Sequence, residues 1–290
     1  MTKRYAFFRG CFIPARVPHI EKVARTIMPE LGVELVDLAE FTCCPEPVGF
    51  SLHEKMTWLS IAARNISIAE EQGLDIITLC NGCYYTLSHA LSDLTDEKMK
   101  EKVNEILYET DHEFRGKARV KHFIQFLKED VGFKKLNQMV TNPLDGLKIA
   151  SHTGCHFSNI YGPNSSDLDE MVSRLGAESV EYTHKNLCCG WMLGGYGQTE
   201  EGYKWLKDKL DNMKGSNADC ICVICPQCLH QFDTGQLTVA RKLNIPFKIP
   251  ALFYLQLLGL SMGYNLETVQ YSAHRVKEPN FETKIRELCS

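Results

Sequence analysis

The chain has no apolar run long enough to cross a bilayer. A helical span needs about 20 residues. The longest apolar stretch, Ile249–Leu260, falls short and contains Pro250 and Gln256. No basic tail or stripe stands out, and the net charge is −4, so nucleic acid is not expected as a partner. Walker A, HExxH and GxSxG motifs are absent. Gly194-Gly195-Tyr196-Gly197 lacks the GxGxxG spacing and follows no strand directly, so it reads as a turn. With no flavin or nicotinamide signature, any electrons the chain uses must come from a partner. The N-terminus offers only a short apolar run before Cys11, too little for a signal peptide. A cytoplasmic location is therefore expected, where thiols stay reduced and cysteine density means metal or redox chemistry rather than disulfides. Apolar content of 44% and charge of 23% are those of a globular protein, and 290 residues suffice for two ordinary domains.

What the sequence does have is cysteine. Ten of its 13 cysteines form one pattern twice. The first copy is Cys11, then 31 residues, then Cys43-Cys44-Pro45, then Cys80-Asn81-Gly82-Cys83. The second is Cys155, then 32 residues, then Cys188-Cys189-Gly190, then Cys225-Pro226-Gln227-Cys228. In both, 35 residues separate the adjacent pair from the CxxC. The copies are offset by 144 at the first cysteine and by 145 thereafter. Chance does not place five cysteines twice in register, so the chain is read as a duplicated metal-site scaffold.

Each half has the pattern of a β-α-β-α-β unit. In the first, strands are expected at Arg4–Arg9, Val33–Leu38 and Asp75–Leu79, with helices over Ile20–Leu31 and Leu52–Gln72 and another near Cys83. In the second, strands are expected at Leu147–Ser151, Glu178–Tyr182 and Ile221–Ile224, with helices over Ser166–Leu175 and Glu200–Met213. The fold class is α/β: two pseudo-symmetric Rossmann-like halves with parallel sheets. Every motif cysteine falls at or just after the carboxyl end of a strand, the edge where open parallel sheets gather ligands. The expected division is residues 1–142, including a charged, helical connector from about 94 to 142, and residues 143–290. The tail after about Leu243 repeats nothing; a strand over Pro246–Pro250 and a helix over Ala251–Leu260 are expected there.

A lone CxxC fits zinc, a redox disulfide or a cluster. Structural zinc takes four ligands, and so does a cubane [4Fe-4S] cluster. Five cysteines per copy exceed both. Either one is idle in each copy, or the cluster is not an ordinary cubane.

The pattern resembles the CCG cysteine-rich family, named for its Cys-Cys-Gly tripeptide. Cys188-Cys189-Gly190 matches that tripeptide, and the first copy carries Pro45 in place of the glycine. With two modules and no ferredoxin-type CxxCxxC run, the chain resembles the B-type subunit of the heterodisulfide reductases of methanogenic archaea, over roughly residues 4–265. The resemblance implies two noncubane [4Fe-4S] clusters, one held by Cys11, Cys43, Cys44, Cys80 and Cys83, the other by Cys155, Cys188, Cys189, Cys225 and Cys228. It implies a catalytic subunit that reduces the mixed disulfide of coenzyme M and coenzyme B, CoM-S-S-CoB, to two thiols. The implied partners are a ferredoxin-like iron–sulfur subunit, then a flavin-containing bifurcating subunit that feeds it, and a hydrogenase or formate dehydrogenase further upstream. Two clusters passing one electron each match a two-electron cleavage, with the halves expected to face each other across a shared cavity.

Three further residues are candidates. His156 directly follows Cys155 and is the candidate proton donor, since histidine titrates near neutrality. Arg16 and Lys185 are the candidate hosts for an anionic substrate. His152 and His230 read as structural, as do Cys220 and Cys222 on a strand and Cys289 in the tail. Two other readings stay open: an electron-transfer subunit of a succinate or fumarate reductase or of a lactate or glycolate oxidation complex, with one motif holding zinc, and a zinc-stabilised scaffold without redox function.

Overall fold

The computed structural model describes residues 2–157, 167–246 and 248–288. Within them lie two four-stranded sheets, parallel throughout. The first has the order β2-β1-β3-β4, with β1 Lys3–Phe8, β2 Val33–Val36, β3 Asp75–Thr78 and β4 Val120–His122. The second has the order β6-β5-β7-β8, with β5 Lys148–His152, β6 Glu178–Ser179, β7 Cys220–Val223 and β8 Ala251–Phe253. The two Rossmann-like α/β halves expected from the sequence are present. The central strands read as near-continuous apolar runs because helices cover both faces of a parallel sheet. In β1, Tyr5, Ala6, Phe7 and Phe8 are all buried, and in β7 so are all four residues, Cys220 and Cys222 among them. Cys289 lies outside the described residues, as does the first residue of the helix expected from Ser166.

Each half carries one strand more than its cysteine pattern signals. The stretch from 94 to 142, expected to be a helical connector, contains β4 after the Glu97–Tyr108 helix. In the tail, the strand is Ala251–Phe253 rather than 246–250, and the helix begins at Tyr254. The tail does repeat the first half, but at a different offset. The His122 N–H donates to Gln125 Oε1 and the Phe253 N–H to Gln256 Oε1, both at 2.9 Å. Likewise Ile76 N–H donates to Arg119 O and Ile221 N–H to Pro250 O, both at 2.8 Å. The fourth strands therefore correspond at an offset of 131, which a search keyed to 145 passes over.

The described chain divides into two compact units, 1–15 with 28–130 and 16–27 with 131–290. This differs from a single cut after residue 142. The Pro18–Ile27 helix belongs with the second unit, where it packs on the Tyr254–Ser261 helix. Gly259 permits that contact, since a Cβ there would sit 3.0 Å from Ile27 Cδ1 and 2.8 Å from Val269 Cγ1. In the first unit, the Lys55–Glu71 helix lays Trp58, Leu59, Ala62, Ala63 and Ile66 against Ala6, Phe8 and Ile76 of the sheet. The small alanines let helix and sheet approach closely.

Candidate metal centres

β1 and β5 each end in the same way. The strand stops, a glycine turns the chain with positive φ (Gly10 at 62°, Gly154 at 79°), and a cysteine follows. Gly10 is constrained twice over. Its φ is one that L side chains rarely adopt, and a Cβ there would lie 2.6 Å from Cys83 Sγ. The CxxC motifs sit where β3 and β7 pass into the Asn81–Asp93 and Pro226–His230 helices, with Cys80 and Cys225 as extended N-cap residues. The adjacent pairs, Cys43-Cys44 and Cys188-Cys189, lie on the loops that follow β2 and β6.

The five thiols of the first half form a continuous chain of contacts. Cys11 and Cys43 Sγ are 3.8 Å apart. Cys44 bonds to Cys43 and Cys83, and Cys83 to Cys80. The second half repeats this: Cys155 and Cys188 Sγ are 3.8 Å apart, Cys189 bonds to Cys188 and Cys228, and Cys228 to Cys225. A tetrahedral metal with metal–sulfur bonds of about 2.3 Å holds its sulfurs about 3.8 Å apart. Both donor sets therefore suit a soft, thiophilic metal centre, and iron–sulfur clusters draw their ligands from such thiolates. The crowding itself polarises the thiols. Hydrogen bonds from Cys155 and Cys189 pull the Cys188 thiol down to about 2. In the first half it is Cys44 that is held well below the usual thiol range, by bonds from Cys43 and Cys83. Cys155 and Cys228 are pushed up, mainly by the neighbouring thiols.

The backbone around each pair is fastened by side chains that reach back to it, most of them buried. In the first half, Asn65 Oδ1 accepts from the Thr42 N–H at 2.9 Å while its Nδ2 donates to Cys43 O at 3.1 Å, and Thr86 Oγ1 donates to Pro45 O at 3.2 Å. In the second, Trp205 Nε1 donates to Cys188 O at 2.7 Å and Gln231 Nε2 to Cys189 O at 3.3 Å. Lys209, buried to 1% exposure, donates to His184 O at 2.6 Å, Leu187 O at 2.8 Å and Lys185 O at 3.2 Å. Burial pulls its ammonium down to about 8, against the attraction of Cys189, Cys228 and Cys188. None of these anchors was singled out from the sequence. Subtracting 145 from 209 would have found Lys209 opposite Arg64, which donates to Glu40 O at 3.0 Å.

The remaining candidates lie as follows. His156 is buried, in the turn that begins at Cys155. Arg16 ends the Phe12–Arg16 helix, is exposed, and acts on the ring of His230, whose pKa is lowered by burial and by that charge. Lys185 is bound by Asp169 at 2.8 Å and Glu181 at 2.9 Å, so its charge is already answered. His152, read from sequence as structural, is the last residue of β5 and is buried at 1% exposure. A ring nitrogen of His152 and the sulfurs of Cys189 and Cys228 all lie within 4.8 Å of one another.

The cysteine-rich CCG domain model matches the chain twice, over residues 5–88 and 149–233. The B-type subunit of the ferredoxin/F(420)H(2)-dependent CoB-CoM heterodisulfide reductase of Methanosarcina acetivorans is 40% identical, with 99% of this chain and 98% of that protein covered. The 8-methylmenaquinol:fumarate reductase membrane anchor subunit of Wolinella succinogenes is 28% identical over 91% of this chain and 93% of its own length. Among solved structures, a hypothetical protein from Helicobacter pylori shares the fold, with a TM-score of 0.79 at 16% identity; the match covers 97% of this chain and 53% of that one. No helix among the described residues is long and apolar enough to cross a membrane. The repeated five-thiol sites, the double domain match and the full-length likeness agree: the chain belongs to the family of heterodisulfide reductase B-type subunits, built on two CCG cysteine-rich domains.

Proposed function

We propose that this chain is the disulfide-reducing catalytic subunit of a heterodisulfide reductase complex, acting on the mixed disulfide of coenzyme M and coenzyme B. The observation that carries the reading is the doubled five-thiol site in a chain alike over its whole length to the B-type subunit of a CoB-CoM heterodisulfide reductase. In this reading Cys11, Cys43, Cys44, Cys80 and Cys83 hold one noncubane [4Fe-4S] cluster, and Cys155, Cys188, Cys189, Cys225 and Cys228 the other. When bound, each cluster supplies one electron at a time and iron with an affinity for thiolate sulfur.

Reduction of a disulfide consumes two electrons and two protons and yields two thiols, so two one-electron sites balance it. The chain's own residues shape and serve those sites. Gly10 and Gly154 turn the strand ends so that Cys11 and Cys155 join the other thiols. His156, next to Cys155, delivers a proton to a product sulfur. Arg16 receives an anionic end of the substrate; Lys185 does so only by exchanging Asp169 and Glu181 for it. Electrons arrive from a ferredoxin-like iron–sulfur subunit, itself fed by a flavin-containing bifurcating subunit, with a hydrogenase or formate dehydrogenase upstream.

The test begins with iron, acid-labile sulfide and zinc on chain purified without oxygen. About eight irons and eight sulfides per chain, without zinc, are expected, followed by CoM-S-S-CoB-dependent oxidation of a reduced dye. Loss of that turnover in both Cys43→Ala and Cys188→Ala supports the reading, and unchanged turnover in either sinks it. The likeness to a fumarate reductase subunit favours a second reading, electron transfer to or from a quinone. About four irons with one zinc, and a quinone-coupled activity without disulfide reduction, would put that reading first.

A further inference from the structure

Placing the two halves in register exposes three differences at the sulfurs. Phe8 and His152 occupy the same position: each ends the central strand of its sheet, Phe8 opposite Thr78 and His152 opposite Val223, residues 145 apart. Both are buried. In the first half the position is a hydrocarbon ring. In the second it is an imidazole grouped with Cys189 and Cys228. Neither ring nitrogen reaches hydrogen-bonding geometry with any described residue. The Lys185 carbonyl acts on the ring but already accepts from Lys209. A buried polar group without a hydrogen bond costs free energy. The ring therefore calls for a partner on its sulfur side.

The second difference is at the residue after the cysteine pair. The Gly190 N–H donates to Cys188 Sγ at 3.4 Å. Pro45, in the corresponding place, has no N–H to give. The third is the pair Arg64 and Lys209. Arg64 serves one carbonyl in an exposed setting, while the buried Lys209 ammonium, bonded to three carbonyls, lies within electrostatic reach of the Cys188, Cys189 and Cys228 sulfurs.

We infer that His152, assisted by the Gly190 N–H and Lys209, is a tuning residue that sets the reduction potential of the second metal centre above that of the first. The physical reason is charge. Reduction adds one negative charge to the cluster and its thiolates. Hydrogen bonds to the sulfurs and nearby positive charge stabilise the reduced form and raise the potential. Cys11 and Cys43 are more exposed than Cys155 and Cys188, which acts in the opposite direction. Water at a rim is a weaker influence than a group against the sulfur in a low dielectric, where charge interactions are several times stronger.

This inference rests on the reading that both halves hold iron–sulfur clusters. Its test is a redox titration of the full-length chain, purified without oxygen and followed by electron paramagnetic resonance. Two transitions are expected in the unaltered chain. His152→Phe, which copies the residue the first half already accommodates, should lower the higher transition by about 59 mV, a tenfold shift of a one-electron equilibrium. Phe8→His should independently raise the lower one. Iron and sulfide held at unaltered levels with no shift in His152→Phe overturns the tuning role alone. So does a shift confined to the lower transition. Loss of iron from His152→Phe also overturns it, by making the imidazole a ligand. Absence of iron and sulfide from the unaltered chain overturns the cluster reading beneath it.

Discussion

The two centres meet the same backbone demand with different side chains. The carbonyls of Cys43 and Cys188 occupy equivalent places, yet the first accepts from Asn65 and the second from Trp205, residues that are not equivalent. At equivalent positions Thr86 and Gln231 both reach back to the pair loop, but one serves Pro45 O and the other Cys189 O. The loops also leave by different routes. Gly190 has φ of 83°, whereas proline holds φ near −65°. A fold that must keep buried carbonyls bonded while five thiols converge constrains the bonds made rather than the residues that make them. The inner ring of sulfurs is thus duplicated more closely than the ring of anchors around it.

This comparison can be broken most severely at Gly10. Gly10→Ala should displace Cys83 Sγ, since the new Cβ would stand 2.6 Å from it in a strained left-handed conformation. The expected result is a loss of about half the iron per chain, with the second centre's spectrum retained. Iron content unchanged from the parent would show that the first loop yields more readily than its geometry indicates. Next in size is Lys209→Met, which strips the donors from three carbonyls. It should cost about 2–4 kcal/mol in urea unfolding of the metal-free chain. The equivalent change, Arg64→Met, removes one exposed bond and should cost less than about 1 kcal/mol. Equal losses in the two variants would refute the asymmetry of the anchors.

Acid should weaken the second unit through two histidines packed on each other. His19 and His274 stack edge to face with ring centroids 4.8 Å apart. Burial lowers His19 to about 4 and His274 to about 3. Both therefore stay neutral in the folded chain at pH values where the unfolded chain, titrating near 6.5, takes up protons. Their contribution is intact above about pH 6.5 and is lost as pH falls from there toward 4 and 3. A fall of about 4 kcal/mol in unfolding free energy between about pH 7 and pH 5 is expected from the pair, and His19→Gln should roughly halve it. A pH-independent midpoint in the metal-free chain would contradict this account.

Cysteine spacing made the duplicated five-thiol sites legible because side chains that must converge on one point are constrained in both residue type and interval. The alternation of strand and helix did the same for three strands of each sheet: the central ones are apolar because both their faces are buried, while the edge strands β2 and β6 are partly exposed and followed from the repeat. The fourth strands were not legible at the 145-residue offset. They carry no cysteine, they are three residues long, and their own correspondence is 131 residues. Lys185 was placed near a cysteine by sequence distance alone, and only the fold revealed Asp169, 16 residues away, as its partner.

The sequence by itself determined that five thiols recur twice, each set at the carboxyl ends of parallel strands, since covalent spacing and hydrophobic period are local properties of the chain. Tertiary structure alone decided which groups stand against those thiols. His152 reads as an ordinary strand-end histidine, and Lys209 as one more lysine of a strongly charged helix, Thr199–Gly215. Each becomes distinctive only when folding buries it beside sulfur, because burial removes the water that otherwise screens charge and satisfies polar atoms.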